Sequence, residues 1–248
     1  MECRTFSAMM IGPRNTQEDA ITDGKTVFQA DLLTRKNASL SGNIMLAVCD
    51  GMGGHEGGET AAMFVCEKLT HINRENVSIP HILESLARIQ HETYFTLPKR
   101  SGTTVAGVLA GNGNVIAFNA GDSRIYRLTR DNIAYISHDH SLVQEMIDQA
   151  IIKQKGSNNH PLQNVIDMGI GPAFQNTWNI SKIHAYETKL ELPAYYLLCT
   201  DGLTGTLDEK EIFDLLMPDP ITNGPRLYNT LKQRPLRDNT SFVIAEIR

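Results

Sequence analysis

Four aspartates stand where strand-like runs give way to small and polar residues. They are Asp50 in CDG, Asp122 in GDS, Asp201 in TDG and Asp238 in RDN. One Asp at a strand end is commonly a turn former or a helix cap. Several converging at one rim would repel each other and stay partly protonated unless cations neutralised them, and oxygen-only ligands suit Mg²⁺ or Mn²⁺ rather than zinc. The pattern therefore favours a two-metal hydrolytic site.

Glycines crowd the chain after Asp50, in the stretch CDGMGGHEGGETAA. Glycine clusters allow the backbone to approach a turn, an ion or a ligand closely. Without a side chain, the residue after Asp50 can turn its own carbonyl toward a metal that the carboxylate holds. A loop that binds nucleotide phosphates is the alternative interpretation, but no GK[ST] follows and an acidic residue heads the loop.

The elements that must position these aspartates are read from hydrophobic periodicity. Residues 43–50 form a strand-length apolar run, and from Glu59 the apolar residues recur at helical spacing. We interpret residues 103–137 as an antiparallel meander of four strands separated by GNGN, GDSR and TRDN. Strands are also predicted at residues 194–201 and 239–247.

Two further helices are predicted from possible capping boxes. Ser141 with Gln144 precedes LVQEMIDQAI, and Thr206 with Glu209 precedes LDEKEIFDLLM. Between them, residues 153–185 are polar and weakly periodic, so we interpret them as an irregular, flap-like excursion. No repeat or linker divides the sequence, and we expect a single α+β domain over residues 1–248.

Composition narrows the classes of partner. The 248 residues carry a net charge of −5 without a Lys/Arg-rich block, which argues against a nucleic-acid or membrane surface. The four scattered cysteines form no CxxC pair, and no apolar run reaches the ~18 residues of a membrane span. We therefore expect a chain of the reducing cytoplasm.

A cysteine-dependent phosphatase is excluded, since it needs Arg six positions after its Cys and those positions hold Met9, His55, Ile72 and Gly205.

Taken together, these stretches resemble the metal-dependent protein phosphatases of the phosphatase 2C family, in their bacterial form. Seven motifs occur in the family's order between residues 14 and 247: RNTQEDA, CDGMGGHEGGETAA, SGTTVAGVLA, NAGDSRIYRL, HDHSLV, LLCTDGLTG and DNTSFVI. The resemblance implies a four-layer α-β-β-α sandwich, with two central antiparallel sheets flanked by helices. It also implies hydrolysis of phosphoserine and phosphothreonine by direct attack of a metal-bridging water.

The resemblance further implies a set of metal ligands. Asp50 would bridge two Mn²⁺ or Mg²⁺ ions, and the carbonyl of Gly51 would bind one of them. Asp201 and Asp238 would hold the other ion. Asp122 would contribute, with Asp201, to a weaker third metal.

The same resemblance implies roles for three other positions, and at two further positions this sequence lacks the family's usual residue. Glu18 and Asp19 would orient metal-bound waters, and Arg14 would bind the substrate phosphate as a planar bidentate donor. Met52 stands where eukaryotic relatives have a histidine proposed as the general acid, so the acid is unassigned. Gly205 replaces a residue that is polar or acidic in many relatives, which bears on the third metal.

The expected partners are a phosphoprotein substrate and a cognate Ser/Thr kinase, with the chain acting as a monomer. One alternative is a pseudophosphatase that binds a phosphoprotein or a kinase without turnover. Another is a metal-dependent phosphodiesterase or nuclease, which would need a basic channel that the composition does not show. The HDH run at residues 138–140 has metal-like spacing, but we interpret it as structural because it immediately precedes a helix.

Overall fold

The computed structural model describes residues 1–53, 57–153, 160–162 and 165–248. Its strands are, in chain order, β1 Glu2–Met10, β2 Ala20–Thr22, β3 Val27–Phe28, β4 Leu32–Ser41, β5 Ile44–Cys49, β6 Gly51–Met52, β7 Gly102–Thr103, β8 Val105–Gly111, β9 Asn114–Ala120, β10 Arg124–Leu128, β11 Ile133–Tyr135, β12 His184–Lys189, β13 Ala194–Cys199 and β14 Thr240–Ile247. Within these ranges, two antiparallel sheets of six strands each run in the orders β11-β10-β13-β14-β1-β4 and β12-β9-β8-β5-β2-β3. Strands β6 and β7 form a separate pair.

Helices cover the outer face of each sheet. They are α1 Gly58–Thr70, α2 Ile79–Thr96, α3 Leu142–Asp148, α4 Asp201–Thr204, α5 Glu209–Leu216 and α6 Pro220–Lys232. Buried residues of α1 and α2 share one apolar cluster with the β5-containing sheet, and those of α4 to α6 share another with the β1-containing sheet. A third cluster fills the space between the two sheets. These layers confirm the predicted four-layer sandwich.

Strand β5 shows why its sequence is apolar throughout. Ile44, Leu46 and Val48 face the opposite sheet. The alternate residues Met45 and Cys49 face α1 and α2. Because side chains alternate across a strand, a strand covered on both faces needs apolar residues at every position.

The predicted meander of residues 103–137 is wrong at one connection. Strands β8 and β9 pair in one sheet, and β10 and β11 pair in the other. The GDSR turn therefore carries the chain from one sheet to the other instead of closing a hairpin. Turn composition signals a reversal of the chain, but it does not determine which sheet the next strand joins.

The predicted cap at Ser141 is confirmed, although the Gln144 side chain bonds to Asp148 and does not complete a capping box, and the predicted cap at Thr206 is wrong. Ser141 caps α3 by accepting a hydrogen bond from the backbone N–H of Gln144. Helix α5 is capped by Asp208, whose side chain and that of Glu211 form a reciprocal capping box. Thr206 belongs to the preceding turn, where its hydroxyl donates to the carbonyl of Gly202 at 2.8 Å. Because the turn that follows α4 continues past Thr206, α5 begins later than predicted.

The predicted excursion at residues 153–185 lies partly outside the described residues, which omit 154–159 and 163–164. In its described part before β12, the ordered elements are two isolated bridges and 3-10 turns at Pro172–Phe174 and Ile180–Lys182. Met168 and Ile170 are fully buried in the cluster beneath α2. This part of the segment is thus packed onto the sandwich. Among all described residues, no helix combines the length and apolar character needed to span a membrane.

Candidate active site

One edge of the β5-containing sheet carries three of the predicted site residues. Asp19 immediately precedes β2, Asp50 follows β5 and Asp122 lies just beyond β9. The register pairs Ala20 with Cys49 and Val105 with Ala120, so these strand ends lie side by side. The alternating directions of antiparallel strands thus bring residues distant in sequence to the same edge.

The β1-containing sheet brings three more residues to the same edge. Asp201 follows β13 and opens α4, Asp238 precedes β14 and Arg14 lies in the loop after β1. Met10 pairs with Thr240, and Phe242 pairs with Cys199, which aligns the three strand ends. The cleft between the two sheet edges is therefore lined by acidic groups from both sheets.

The carboxyl groups are close enough to raise one another's pKa. Burial raises the pKa of Asp50 well above its ordinary value, and repulsion from Asp19, Asp201, Asp122 and Asp238 adds to the shift. Burial likewise raises the pKa of Asp19 to about 7, and the pKa values of Asp122 and Asp201 also rise. Such a set of carboxyl groups favours the binding of cations, because cations remove the repulsion.

Two carboxylate oxygens at this edge also lack a protein partner. Asp19 Oδ1 and Asp201 Oδ1 are buried without a hydrogen bond in the described structure. Across the described ranges, no three Asp, Glu, His or Cys side chains already converge as tightly as a bound ion would draw them. Unsatisfied buried carboxylate oxygens are nevertheless the donors that Mg²⁺ and Mn²⁺ prefer. The residues present therefore fit divalent cations.

Arg14 faces this acidic group from the β1 side. Its guanidinium donates to Asp238 Oδ2 at 2.5 Å, and this hydrogen bond raises the pKa of Arg14. The Arg14 side chain is 55% exposed. Since a guanidinium has five N–H donors, one contact with a carboxylate leaves donors available to a phosphate.

The loop containing Arg14 and Glu18 is fixed by Asn239, a residue to which the sequence motifs assigned no role. Its amide donates to the carbonyls of Ile11 and Thr16, and its oxygen accepts from the backbone N–H of Glu18 at 2.8 Å. The sequence does place Asn239 directly after Asp238, a predicted site residue. Its partners lie more than two hundred residues away, so the role could not be deduced.

The position after Asp50 requires glycine for a steric reason. The N–H of Gly51 donates to the carbonyl of Glu18 at 3.2 Å. A Cβ on residue 51 would lie 2.5 Å from that oxygen and 2.2 Å from the carbonyl oxygen of Gly58. The turn therefore packs three backbone segments together beside Asp50, as the glycine cluster predicted.

Thr103 and Thr104 anchor the same turn, although neither was predicted from the sequence to have a role. The Thr103 hydroxyl and the Thr104 N–H both donate to the carbonyl of Asp50, each at 2.9 Å. The Asp50 N–H in turn donates to the Thr104 hydroxyl at 3.0 Å. Both backbone polar groups of Asp50 thereby have hydrogen-bond partners, which fixes the backbone that carries its carboxylate.

A second Arg–Asp pair lies beside Asp122. The guanidinium of Arg124 forms a fork with both carboxylate oxygens of Asp139, and the Tyr135 hydroxyl donates to the same carboxylate at 2.6 Å. His140 lies within hydrogen-bonding distance of the backbone of Gly121 and of Lys182. Asp139 and His140 thus hold the GDSR turn, which agrees with the structural interpretation of HDH.

Met52 and Gly205, which depart from the family pattern, both lie next to residues of the site. Met52 is part of β6 and pairs with Gly102, so a thioether stands beside the Asp50 turn. At Gly205 an added Cβ would lie 3.1 Å from the carbonyl oxygen of Asp201. Cys49 and Cys199 are completely buried, and burial raises the pKa of Cys199 to about 12. The two thiols pack in the apolar core.

Comparison with known families and proteins gives one consistent result. The protein phosphatase 2C family profile matches residues 30–224. The serine/threonine protein phosphatase PstP of Mycobacterium tuberculosis is 25% identical over 217 residues, which cover 84% of this chain and 41% of that protein. The chain thus spans about two fifths of the mycobacterial relatives' length. The serine/threonine phosphatase stp of Listeria welshimeri is 28% identical over 185 residues, or 69% of this chain and 71% of that protein.

Solved structures show the same fold over nearly the whole chain. The serine/threonine phosphatase Stp1 from Staphylococcus aureus superposes with a TM-score of 0.81 at 26% identity, covering 98% of this chain and 94% of that one. The catalytic domain of PstP in complex with two manganese ions has a TM-score of 0.74 at 21% identity, covering 99% and 98% of the two chains. At that identity the second likeness bears on the fold alone.

Proposed function

Because the chain belongs to the protein phosphatase 2C family, we propose that it is a metal-dependent phosphatase of phosphoserine and phosphothreonine in proteins. One observation carries the proposal. Acidic groups from both sheets share one cleft, and in the described structure two of their buried carboxylate oxygens have no hydrogen-bond partner. Divalent cations and a phosphate would complete this arrangement.

The proposed metal ligands are those that the family resemblance implies. Asp50, the Gly51 carbonyl, Asp201 and Asp238 would hold two Mn²⁺ or Mg²⁺ ions, and Asp122 with Asp201 would hold a weaker third. The PstP catalytic domain has been solved in complex with two manganese ions, and we propose the same kind of cofactor here. When bound, the cations supply charge that neutralises the phosphate dianion and a lowered pKa for the attacking water.

Arg14 is the proposed phosphate ligand. Its side chain is half exposed, and among the described residues its guanidinium donates to Asp238. A phosphate entering the cleft would gain a charge-assisted, bidentate hydrogen bond from the same guanidinium. Glu18 and Asp19 are the proposed groups that orient water. The Thr200 hydroxyl fixes Asp19 by donating to its Oδ2 at 3.0 Å.

The reaction needs no nucleophilic side chain. Water attacks phosphorus, the ester P–O bond breaks, and the leaving serine or threonine oxygen takes up a proton, giving the free hydroxyl and inorganic phosphate. Met52 cannot donate that proton. We propose that Asp122, whose carboxyl group lies in the same cleft, takes part in delivering this proton.

The proposal extends to partners and location. A phosphoprotein is the substrate, a Ser/Thr kinase places the phosphate that this chain removes, and the chain acts as a monomer in the cytoplasm. The net charge of −5 supports a protein substrate over a nucleic acid. The four cysteines are unpaired and buried, which is compatible with a reducing compartment.

The test measures hydrolysis of a phosphothreonine peptide, a cyclic dinucleotide and single-stranded DNA with added Mn²⁺. We expect hydrolysis of the peptide alone, its loss on addition of EDTA and its recovery when Mn²⁺ is restored. Binding of the peptide without turnover would instead identify a pseudophosphatase. Hydrolysis of either nucleic-acid substrate would identify a phosphodiesterase or nuclease.

A further inference from the structure

A buried amide on α2 holds the irregular segment that pairs with β7. Gln90 is 2% exposed. Its Oε1 accepts from the N–H of Gly171 at 2.7 Å, and its Nε2 donates to the carbonyl of Gly171 at 3.1 Å and to the Tyr94 hydroxyl. The side chain thus satisfies both polar groups of one residue in the irregular segment before β12.

The residue before Gly171 pairs with β7. Ile170 and Thr103 exchange two backbone hydrogen bonds of 2.8 Å, one in each direction. Ile170 and Thr103 are both fully buried. By binding Gly171, Gln90 therefore helps to keep the neighbouring residue Ile170 paired with β7.

Strand β7 passes the constraint to the Asp50 turn. Thr103 pairs with Gly51 in the small β6-β7 sheet, and its hydroxyl donates to the Asp50 carbonyl. The path from Gln90 to Asp50 thus consists of hydrogen bonds joined by the peptide bond between Ile170 and Gly171, and its residues from Gln90 to Thr103 are buried. A displacement at Gly171 would have to be accommodated at Thr103, the residue that sets the Asp50 backbone.

Packing at Gly171 makes this path specific. Its φ is +135°, and a Cβ there would lie 2.6 Å from Gly102 Cα and 2.8 Å from the carbonyl oxygen of Ser101. The backbone of Gly171 thus lies directly on β7. Without the Gln90 amide, a buried N–H and a buried carbonyl would lose their partner, and the close contact with β7 would lose its support from α2.

We propose that Gln90 is a positioning residue for the metal-binding turn, acting through Gly171, Ile170 and Thr103 on Asp50 and Gly51. This inference rests on the proposed metal site. It gives α2 and the irregular segment a part in setting metal affinity, although neither supplies a ligand. Outer partners that orient metal ligands typically change metal affinity 10- to 100-fold when they are removed.

The experiment compares Mn²⁺ binding to metal-free wild type, Gln90→Met and Asn223→Leu by isothermal titration calorimetry. Methionine matches the volume of Gln90 without its hydrogen bonds. Asn223 is the matched control, because its amide donates to the carbonyls of Leu216 and Met217 on the other helical layer. We expect the Mn²⁺ dissociation constant to rise about 10-fold in Gln90→Met and to stay within about twofold of wild type in Asn223→Leu.

Two further measurements separate positioning from a general loss of stability. At saturating Mn²⁺, the KM of Gln90→Met for a phosphopeptide should equal that of wild type, since Arg14 is untouched. The double variant Gln90→Met with Thr103→Val should lose less affinity than the sum of the single changes, because both interrupt one path. Gln90→Asn, whose amide is one methylene too short to reach Gly171, replaces Gln90→Met if that variant does not fold.

The outcomes discriminate between the two proposals. If wild type binds Mn²⁺ and the Gln90 variant binds it equally well, the positioning role is overturned and the proposed function stands. The positioning role is also overturned if Asn223→Leu weakens Mn²⁺ binding as much as Gln90→Met does. If wild type binds no Mn²⁺, the proposed function itself fails.

Discussion

The carboxylates near the two ends of strand β14 lie in opposite electrostatic environments. Near one end, Glu246 is 1% exposed and accepts hydrogen bonds from Arg4 and Tyr195, with Arg248 2.8 Å away. Burial alone would raise its pKa, but the hydrogen bonds from its three partners outweigh burial and lower the pKa. Before the other end lies Asp238, at the cleft where the pKa values of Asp50 and Asp201 are raised.

The difference separates a structural carboxylate from a candidate ligand. The negative charge of Glu246 is balanced by Arg4 and Arg248, so this carboxylate needs no bound cation. The aspartates of the cleft outnumber their cationic neighbours and repel one another. An excess of buried acid that the protein does not neutralise is the feature expected of a cation site.

The largest effect should follow from removing a cleft carboxylate. We expect Asp50→Ala to reduce kcat for a phosphopeptide by ~10³-fold or more, because loss of a metal ligand removes several kcal/mol of transition-state stabilisation. The melting temperature without metal should stay equal or rise, since a repelled buried charge is gone. Asp238→Ala should lower kcat to a similar extent but should not raise the melting temperature, because Asp238 is paired with Arg14. Steady-state kinetics and thermal unfolding measure both variants.

This prediction depends on activity and stability moving independently. Activity above about a tenth of wild type at saturating Mn²⁺ would contradict the proposed ligand role of Asp50. A strong fall in the metal-free melting temperature would show that Asp50 stabilises the fold, which is the role that we expect of Glu246.

A smaller and substrate-dependent effect is expected at Asp122. Asp122→Ala should lower kcat for a phosphopeptide by about 10²-fold, the usual contribution of general-acid assistance. Hydrolysis of p-nitrophenyl phosphate should change far less, because p-nitrophenolate leaves as a stable anion. The check is to measure both substrates across a Mn²⁺ titration. Equal losses on both would place Asp122 in nucleophile activation or in the turn itself.

Arg14 should affect binding of substrate more than the chemical step. We expect Arg14→Ala to raise KM for a phosphopeptide about tenfold, through loss of a charge-assisted bidentate contact. Arg14→Lys should recover part of this loss, since lysine keeps the charge and lacks the fork. A change in kcat alone would contradict the role. Arg124→Lys is the comparison, because Arg124 is already locked to Asp139 and should leave KM unchanged.

Much of the fold could be predicted from sequence because its signals are local. The apolar run of β5, the helical spacing after Glu59 and the Ser141 cap each depend on neighbours within a few residues. The crossing of GDSR between sheets could not be predicted, since it depends on which sheet Arg124 and the rest of β10 join. The Asp208 cap was missed because Thr206, where the cap was expected, lies in the turn between α4 and α5.

The candidate site divides in the same way. Its aspartates were found from strand ends and motifs, each of which is a local pattern. The groups that hold them were missed, among them Thr103, Asn239 and the Arg124–Asp139 pair. Each acts on a partner across the fold, and a sequence without tertiary contacts does not show which residues face each other.

The smallest effect on activity is expected at Glu246, with a clear effect on stability. Glu246→Gln should leave kcat and KM unchanged and lower the free energy of unfolding at pH 7 by about 1–3 kcal/mol, because the amide N–H would face donors. Glu191→Gln is the control, since Glu191 is 79% exposed in its pair with Arg127 and should change stability little. Denaturant unfolding measures both.

The pH dependence of the Glu246 effect gives the sharper test of the contrast between the two ends of β14. Because the folded-state pKa of Glu246 lies below its ordinary value of 4.5, its stabilisation is fully present above that value and is lost as the pH falls through the folded-state pKa. The stability difference between wild type and Glu246→Gln should therefore be constant from pH 7 to pH 6 and shrink below about pH 4.5. A difference that grows on acidification would mean that Glu246 is repelled in the folded state, like the cleft aspartates, and the contrast between the two ends of the strand would not hold.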